Sequence, residues 1–186
     1  MPRLIHLNGP PGIGKSTVAR MYADAHPSVL NLDVDVVRSL LGGWREDFLA
    51  AGELVRPLAL AMARTHLGAG NDVVLPQFLG RLSEVERFEA AATSAGAAFV
   101  EVVLMDARPA AVERFAARAH DDSDPWHRTV VALVEEAGGT VALESMYDSV
   151  LGVVEARPSA VVVRSAEGDP ASTYAAVVDA LGPAGG

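Results

Sequence analysis

The chain has 186 residues, of which 50% are hydrophobic and 21% are charged, and this composition fits one globular domain with a substantial core. It contains no cysteine, which excludes disulfide bonds, thiolate metal sites and enzymes with a cysteine nucleophile. The formal net charge of -9, without a basic stripe in the sequence, disfavours a long nucleic acid as partner and favours a small molecule.

The first predicted strand, Leu4 to Leu7, leads through a glycine-rich loop into a predicted helix from Ser16 to Ala25. The loop reads Gly-Pro-Pro-Gly-Ile-Gly-Lys-Ser-Thr over residues 9–17 and fits the pattern Gly-x-x-x-x-Gly-Lys-Ser/Thr. Glycines let the backbone wrap around an anion, so that amide groups and the positive end of the next helix point at phosphate oxygens. In this strand–helix frame the pattern predicts a phosphate-binding loop for a nucleoside triphosphate rather than a simple turn.

Two side chains of this loop have predicted roles of their own. Lys15 is expected to be catalytic, as a mobile charge for the outer phosphates, and the Ser16 hydroxyl suits a Mg²⁺ ligand. The predicted nucleotide contacts of the loop are Gly9, Pro11, Gly12, Ile13, Gly14, Lys15, Ser16 and Thr17.

Two acids and an arginine follow the second predicted strand, in the run Leu32-Asp33-Val34-Asp35-Val36-Val37-Arg38. Phosphoryl transfer needs a coordinated metal ion, an oriented acceptor hydroxyl and cations that meet the charge developing on the transferred group. We expect Asp33 to reach Mg²⁺ and Asp35 to take the proton of an acceptor hydroxyl, although the two roles are interchangeable at this stage. Arg38 lies on the same helix face as Asp35 and is expected to clamp the acceptor or the transferred group. The alternative is that an acid caps the helix and Arg38 pairs with a carboxylate.

The third predicted strand ends without the acid that many phosphate-loop proteins place there to hold the water shell of the metal. The segment that follows it offers Gln77 and Arg81, which we predict to contact the acceptor. A polar loop residue and a surface arginine explain them equally well. The missing acid shifts the expected metal ligation to Ser16 and Asp33.

A lid is predicted over residues 114–128, around a polar loop that follows the fifth predicted helix. Arginine suits such a lid because its planar fork contacts two phosphate oxygens and its charge does not titrate. We expect Arg118 to be catalytic and to contact the nucleotide, whereas Arg114 is equally consistent with a solvated helix face and Glu113 as its partner.

The turn from Arg164 to Pro170 follows the last predicted strand, and we predict that it passes beside the nucleobase, with Arg164 as a nucleotide contact. His6 and His26 are interpreted as structural residues, and no spacing indicates a zinc site. Trp44 and Trp126 fit either the acceptor pocket or the core.

Short strands rich in Val, Ile and Leu alternate with helical segments along the whole chain, which predicts an α/β fold with a five-stranded parallel sheet covered by helices on both faces. Ligands of such sheets bind beyond the carboxyl ends of the strands, where the residues named above lie. The predicted strands are Leu4 to Leu7, Val29 to Leu32, Asp72 to Leu75, Phe99 to Met105 and Ala160 to Val163. The predicted helices are Ser16 to Ala25, Val34 to Leu41, Phe48 to Leu67, Leu82 to Ser94, Pro109 to Arg118, His127 to Glu136, Val141 to Val154 and Ala171 to Leu181.

The organisation expected from this pattern is a single domain over residues 1–186 with a flexible tail at 182–186. The sequence shows no basic-then-apolar leader and no apolar run long enough to span a bilayer. We therefore expect a cytoplasmic protein without membrane partners. The oligomeric state is left open.

With these motifs, the chain resembles the small P-loop kinases of the AAA-type ATP-binding group, especially polynucleotide kinase, chloramphenicol phosphotransferase, zeta toxins and shikimate kinase. The resemblance rests on residues 9–17 and on the run from Asp33 to Arg38. It implies a P-loop NTPase fold with a small lid, ATP and Mg²⁺ as cofactors, and an adenine-binding turn after the last strand. It also implies that Asp33 lies near the metal, Asp35 and Arg38 serve the acceptor, and Arg118 is a lid arginine.

The function predicted from these residues is an ATP-dependent kinase that phosphorylates a hydroxyl of a nucleoside, sugar or antibiotic. A polynucleotide 5′-hydroxyl kinase and a nucleotide-driven switch acting on a protein partner are the alternatives. Neither the acceptor nor the choice between ATP and GTP follows from the sequence.

Overall fold

The structure is a computed structural model that describes the backbone of residues 1–118 and 125–182. Strands and helices alternate in this part of the chain, as the hydrophobic pattern predicts. The strands are β1 (Arg3–Asn8), β2 (Leu30–Asn31), β3 (Val73–Leu75), β4 (Ala98–Met105) and β5 (Val161–Arg164). The helices are α1 (Lys15–Ala25), α2 (Val34–Ser39), α3 (Phe48–Gly68), α4 (Leu82–Ser94), α5 (Arg108–Arg118), α6 (Pro125–Glu136), α7 (Thr140–Ala156) and α8 (Pro170–Leu181).

The five strands form one parallel sheet in the order β2-β3-β1-β4-β5. Strand β1 is central: Ile5 lies opposite Val74 of β3, and His6 lies opposite Glu101 of β4. The predicted five-stranded parallel sheet is confirmed. Because β1 lies between β3 and β4, the loop that follows it emerges at the middle of the carboxyl edge of the sheet.

Each face of the sheet is covered by its own apolar cluster, because successive side chains of a strand point to opposite faces. Leu4 packs on one side with residues of α3 and α4, including Val55 and Phe88. Ile5 packs on the other side with residues of α1 and α8, including Val18 and Val177.

Helix ends differ from the predicted bounds by no more than two residues, and α4 has the predicted bounds. Helix α2 ends at Ser39 instead of Leu41, and α3 continues through Pro57 to Gly68. Gly70 and Gly96 adopt φ values of 87° and 71° just beyond α3 and α4, which is the left-handed conformation that commonly ends a helix. Within the described residues, no helix combines the length and the apolar content needed to cross a membrane.

Candidate active site

The loop after β1 is held in a shape that only glycine permits at two positions. Gly9 has a φ of 142°, and a Cβ there would lie 2.4 Å from the carbonyl oxygen of Leu104 on β4. Gly12 has a φ of 79°, and its Cβ would lie 3.1 Å from Cα of Phe115. The loop is thus fitted closely between β4 and α5, which explains the glycines of the motif.

The amino end of α1 is prepared for an anion. Its N-cap is Gly14, in the left-handed conformation, and no side chain among the described residues caps it. No acid stands in the first turn either. The first amides of a helix have no partner within the helix, so they and the helix dipole are directed at whatever occupies the loop. A phosphate group fits this arrangement.

Lys15 bridges the loop from inside. Its Nζ donates hydrogen bonds to the carbonyl oxygens of Gly9 and Pro10, at 2.8 and 2.9 Å. The side chain is buried, and it lines the same cavity as Asp35. The ammonium group therefore lies beside the predicted phosphate position and needs only a local change of partner to reach a phosphate oxygen.

Asn8, the last residue of β1, joins this loop to the segment after β3. Its Oδ1 accepts from the amide nitrogens of Gly9, at 2.8 Å, and Leu79, at 3.1 Å, while its Nδ2 donates to the carbonyl oxygen of Leu79 at 3.1 Å. All three bonds are buried. The phosphate loop and one wall of the neighbouring cavity are consequently fixed to each other by one side chain.

The two acids after β2 have different environments. Asp33 is the N-cap of α2 and accepts a hydrogen bond from the amide of Asp35 at 3.0 Å, so the capping alternative is observed at Asp33. Asp35 stands in the first turn of α2 and lines the large cavity. Oδ1 of Asp35 lies 3.8 Å from Nη1 of Arg38, which is buried beside it. Capping by Asp33 leaves Asp35 directed into the cavity.

The pKa of the Asp35 carboxyl lies well above that of an ordinary aspartate. Burial raises the pKa of Asp35 to about 6, and the charge of Asp33 adds to the rise, while Arg38 and Lys15 act against it. Burial likewise lowers the pKa of the Arg38 guanidinium, against the effect of Asp35. The Arg38 guanidinium also lies over the ring of Phe48, 4.1 Å from its centre. A carboxyl with a raised pKa is suited to accept a proton from a substrate.

One cavity of about 990 Å³ runs from the phosphate loop to Asp35 and beyond it. Four predicted acceptor contacts line it together, namely Asp35, Arg38, Gln77 and Arg81. The backbone carbonyl oxygen of Gln77 accepts a hydrogen bond from Nε2 of His6, 2.9 Å away. Arg81 is mostly exposed and pairs with Glu84 at 2.7 Å. The cavity is large enough for a small-molecule ligand beside a phosphate group.

Arg114 is not on a solvated helix face. It donates to the carbonyl oxygens of Ile13 and Ser165, both at 3.2 Å, and its Nη1 lies 3.4 Å from a carboxylate oxygen of Asp106. Its guanidinium joins the phosphate loop to the ends of β4 and β5, and the alternative pairing with Glu113 is not observed. Phe115, the next residue, is buried against the loop at Gly12.

The predicted lid is only partly within the described chain. Arg118 is the last residue of α5, and its side chain lies outside the described residues, as do residues 119–124 and the side chains of Trp126 and His127. The catalytic and nucleotide-binding roles of Arg118 therefore stay predictions. Trp44, in contrast, is buried.

A second cavity of about 560 Å³ lies at the carboxyl ends of β4 and β5. Its lining includes Asp106, Arg164, Ser165 and Glu167. The Arg164 side chain is 88% exposed and lies 3.9 Å from Asp106, so it is available to a ligand at the surface. Ser165 donates a hydrogen bond to the carbonyl oxygen of Ile13 at 2.8 Å, which connects this cavity to the phosphate loop. The geometry suits a nucleobase next to bound phosphates.

The donor set for a divalent cation fits magnesium bound mainly through phosphate and water. Ser16 lines the cavity at the start of α1, and Asp33 lies half-buried at the start of α2. Among the described residues there is no cluster of three or more His, Asp or Glu side chains that could hold a metal ion alone. Magnesium often keeps several waters and takes few protein ligands, so such a cluster is not required.

Comparison with known proteins places this architecture in a family. The family model of the AAA domain matches residues 4–136, which is the larger part of the chain and includes the phosphate loop, Asp35 and α5. The chain belongs to this AAA domain family. No curated protein matches it.

Three solved structures share the fold of this AAA domain protein at low sequence identity. The Deinococcus radiodurans tunicamycin resistance protein has 14% identity and a TM-score of 0.63, and the match covers 99% of this chain and 98% of that one. A candidate kinase from Chloroflexus aurantiacus has 18% identity and a TM-score of 0.65, with coverage of 97% and 96%. A gluconokinase from Sinorhizobium meliloti has 18% identity and a TM-score of 0.59, with coverage of 97% and 95%. The AAA domain protein thus has the fold of the small P-loop kinases, as the motifs imply.

Several residues of the site carry no clear signal in the sequence of this AAA domain protein. Asn8 is a single polar residue at the end of an apolar strand, directly before the first glycine of the motif, and that position is its only hint. Arg56 and Arg87 line the large cavity from α3 and α4, yet in the sequence they resemble ordinary surface residues of helices. Their position depends on the docking of these helices on the sheet.

Proposed function

We propose that the chain is an ATP-dependent kinase that transfers the γ-phosphoryl group to a hydroxyl of a small molecule. The observation that carries the proposal is the single cavity in which the phosphate loop meets Asp35, a half-buried carboxyl whose pKa is raised to about 6. An anion cradle beside a potential general base is the arrangement that phosphoryl transfer to an alcohol requires.

Each group of the site has a role in this proposal. The amides at the start of α1 and the Lys15 ammonium bind the phosphates, and Asp35 accepts the proton of the acceptor hydroxyl. Arg38 meets the negative charge that develops on the transferred group. Ser16, with Asp33 through water, would hold Mg²⁺, which when bound neutralises phosphate charge.

The second cavity supports a nucleotide with its base near Arg164 and Ser165. Arg114 contributes by fixing the phosphate loop against the ends of β4 and β5. The names of the structural neighbours, which include a gluconokinase and a tunicamycin resistance protein, support a hydroxyl on a sugar, nucleoside or antibiotic as the acceptor.

The test is a screen of sugars, nucleosides, hydroxylated antibiotics and a short oligonucleotide with ATP and Mg²⁺, read by mass spectrometry for a phosphorylated product. We expect a small-molecule product that Asp35→Asn abolishes. If phosphorylation of the oligonucleotide alone is found, the polynucleotide kinase alternative replaces the proposal. If ATP is hydrolysed without any phosphorylated product, the switch alternative gains support.

A further inference from the structure

The large cavity carries a surplus of positive charge in a protein that is acidic as a whole. The chain has 24 acidic and 15 basic residues. Among the described residues, the charged side chains that line the cavity are the cations Lys15, Arg38, Arg56, Arg81 and Arg87 and the anions Asp35 and Glu84. A cleft lined by one sign of charge concentrates ligands of the opposite sign.

Two of these cations already have roles. Lys15 belongs to the phosphate loop, and Arg38 faces Asp35. Of the other three, two contact one carboxylate: Oε1 of Glu84 lies 2.7 Å from Nη2 of Arg81 and 3.5 Å from Nη2 of Arg56. Two guanidinium groups therefore share a single negative charge. The surplus lies on the acceptor side of the cavity.

The remaining contacts do not cancel this surplus. Arg56 also pairs with Glu53, but that carboxylate is 76% exposed, so solvent screens much of the interaction. Arg87 lies on α4 and lines the cavity, and no carboxylate of the described chain stands within ion-pair distance of it. Arg56 and Arg87 are consequently able to bind a further anion.

A second part of the lining is apolar. Helices α6 and α7 contribute side chains without charge, including Val130, Leu133, Val134, Ala142 and Met146. A ligand that fills this cavity therefore contacts hydrocarbon as well as guanidinium groups. A neutral, highly hydrated sugar uses neither feature well.

We propose that the acceptor is an amphipathic anion, that is, a hydroxyl compound with an apolar body and a carboxylate or phosphate group that Arg56 and Arg87 bind. Arginine suits this task because its planar fork forms two parallel hydrogen bonds with either group. The inference rests on the proposed function only in naming this ligand the phosphoryl acceptor. The anion site itself is testable without turnover.

The experiment measures binding with the phosphate loop already filled. The full chain is saturated with Mg²⁺ and a non-hydrolysable ATP analogue, and three probes are titrated by calorimetry: phenyllactate, its neutral amide phenyllactamide, and phenylglycerol phosphate. All three carry a phenyl ring and a hydroxyl; phenyllactate and its amide differ only in the carboxylate, and the third compound presents a phosphate group instead. We expect the carboxylate or the phosphate to bind at least about tenfold more tightly than the amide. The tighter anion identifies the preferred group.

Arg56→Gln and Arg87→Gln are each expected to remove most of this preference for an anion. Arg64→Gln is the matched control, because Arg64 is exposed on the same helix as Arg56 and does not line the cavity. Equal affinity for anions and amide, no saturable binding of any probe, or a preference that survives both variants would overturn the proposal. Anion binding together with a negative kinase screen would refute the proposed function and leave the anion site in place.

Discussion

At the scale of single residues, the chemistry depends on how the surroundings of Asp35 set its charge. Its carboxyl is partly withdrawn from water and lies near Asp33, and both effects disfavour the ionised form. Arg38 and Lys15 favour ionisation without outweighing burial. The sequence predicts the three charged groups around Asp35 from their spacing, whereas its burial depends on the packing of α2 and α3.

We expect kcat/KM for phosphoryl transfer to rise with pH through about 6 and then to level off, because Asp35 must be ionised to accept a proton. Asp35→Asn should lower turnover by about 10² to 10⁴-fold. A steady-state pH profile of both enzymes checks this. Asp24→Asn, on the exposed side of α1, is the control and should leave the profile unchanged. A wild-type profile that is flat through this range would contradict the assignment of Asp35 as the base.

The negative charge of Asp35 should also lower the stability of the folded protein. Its pKa in the folded protein is above the ordinary value of 3.8, so the ionised form destabilises the fold, and this effect sets in as pH rises between 3.8 and about 6. Asp35→Asn is therefore expected to raise the Tm at neutral pH and to leave it nearly unchanged in acid. Thermal unfolding at several pH values measures the difference. A lower Tm for Asp35→Asn at neutral pH would show that burial does not oppose the charge.

Lys15 is the only lysine of the chain, and all its other strongly basic residues are arginines. Its ammonium lies inside the phosphate loop, where it would meet a bound phosphate. Lys15→Met removes this charge and should lower the affinity for ATP by about ten- to a hundredfold, while the fold is kept. Calorimetric titration with ATP and Mg²⁺ measures the affinity, with Arg20→Met on the exposed face of α1 as the control. Unchanged ATP affinity in Lys15→Met would mean that the nucleotide binds elsewhere.

At the scale of elements, the sequence predicts the strands and helices well because the apolar pattern of each element is strong. Asp33 as cap of α2 and the glycines beyond α3 and α4 follow from local rules of the same kind. The docking of α5 on the phosphate loop does not follow from such rules. It depends on Gly12 lacking a side chain where Phe115 packs, and on the bonds that Arg114 forms with residues distant in sequence.

Asn8 joins two such elements, and its removal should weaken both stability and nucleotide binding. In Asn8→Ala the buried amide of Leu79 loses its acceptor, which costs about 1 to 3 kcal/mol in the free energy of unfolding. The amide of Gly9 loses the same acceptor, so the phosphate loop is less well fixed. Urea unfolding and ATP titration check the two effects. Asn71→Ala, in the loop before β3, is the control and should change each by little. Asn8→Ala with wild-type stability would contradict the proposed link.

At the scale of the whole molecule, a chain of ionisable side chains links the buried His6 on β1 to the partly exposed Glu89 on α4. Nδ1 of His6 on β1 lies 3.4 Å from Oε1 of Glu101 on β4, and Oε2 of Glu101 lies 2.5 Å from Nε of Arg157. Arg157 pairs in turn with Glu89, at 2.9 Å. Burial alone would raise the pKa of Glu101, but its contacts with His6 and Arg157 hold that pKa below the ordinary value. The sequence offers no sign that these distant residues meet.

Removal of one partner from this chain should destabilise the whole fold. Arg157→Leu leaves the Glu101 carboxylate buried without its guanidinium, at a cost of about 3 kcal/mol in unfolding free energy at neutral pH. The folded-state pKa of Glu101 is lowered, so its stabilising contribution is present above its ordinary pKa and is lost as pH falls through the lowered value. The difference between Arg157→Leu and wild type should therefore shrink in acid.

Urea unfolding across a pH series measures this dependence. Glu89→Gln is the control: its carboxylate is 42% exposed, so its loss should cost less than about 1 kcal/mol. A deficit for Arg157→Leu that is equally large in acid and at neutral pH would show that lost packing, and not the charge of Glu101, causes it.

The central claim is that a phosphoryl group passes from the phosphate loop to a hydroxyl held at Asp35. Phosphorus NMR of a reaction with ATP and an acceptor found in the screen tests it most directly, by the ratio of new phosphate ester to ADP. The account predicts a ratio close to one for the wild type, and almost no ester with Asp35→Asn. ADP and inorganic phosphate without any phosphate ester, formed equally fast by both enzymes, would contradict it.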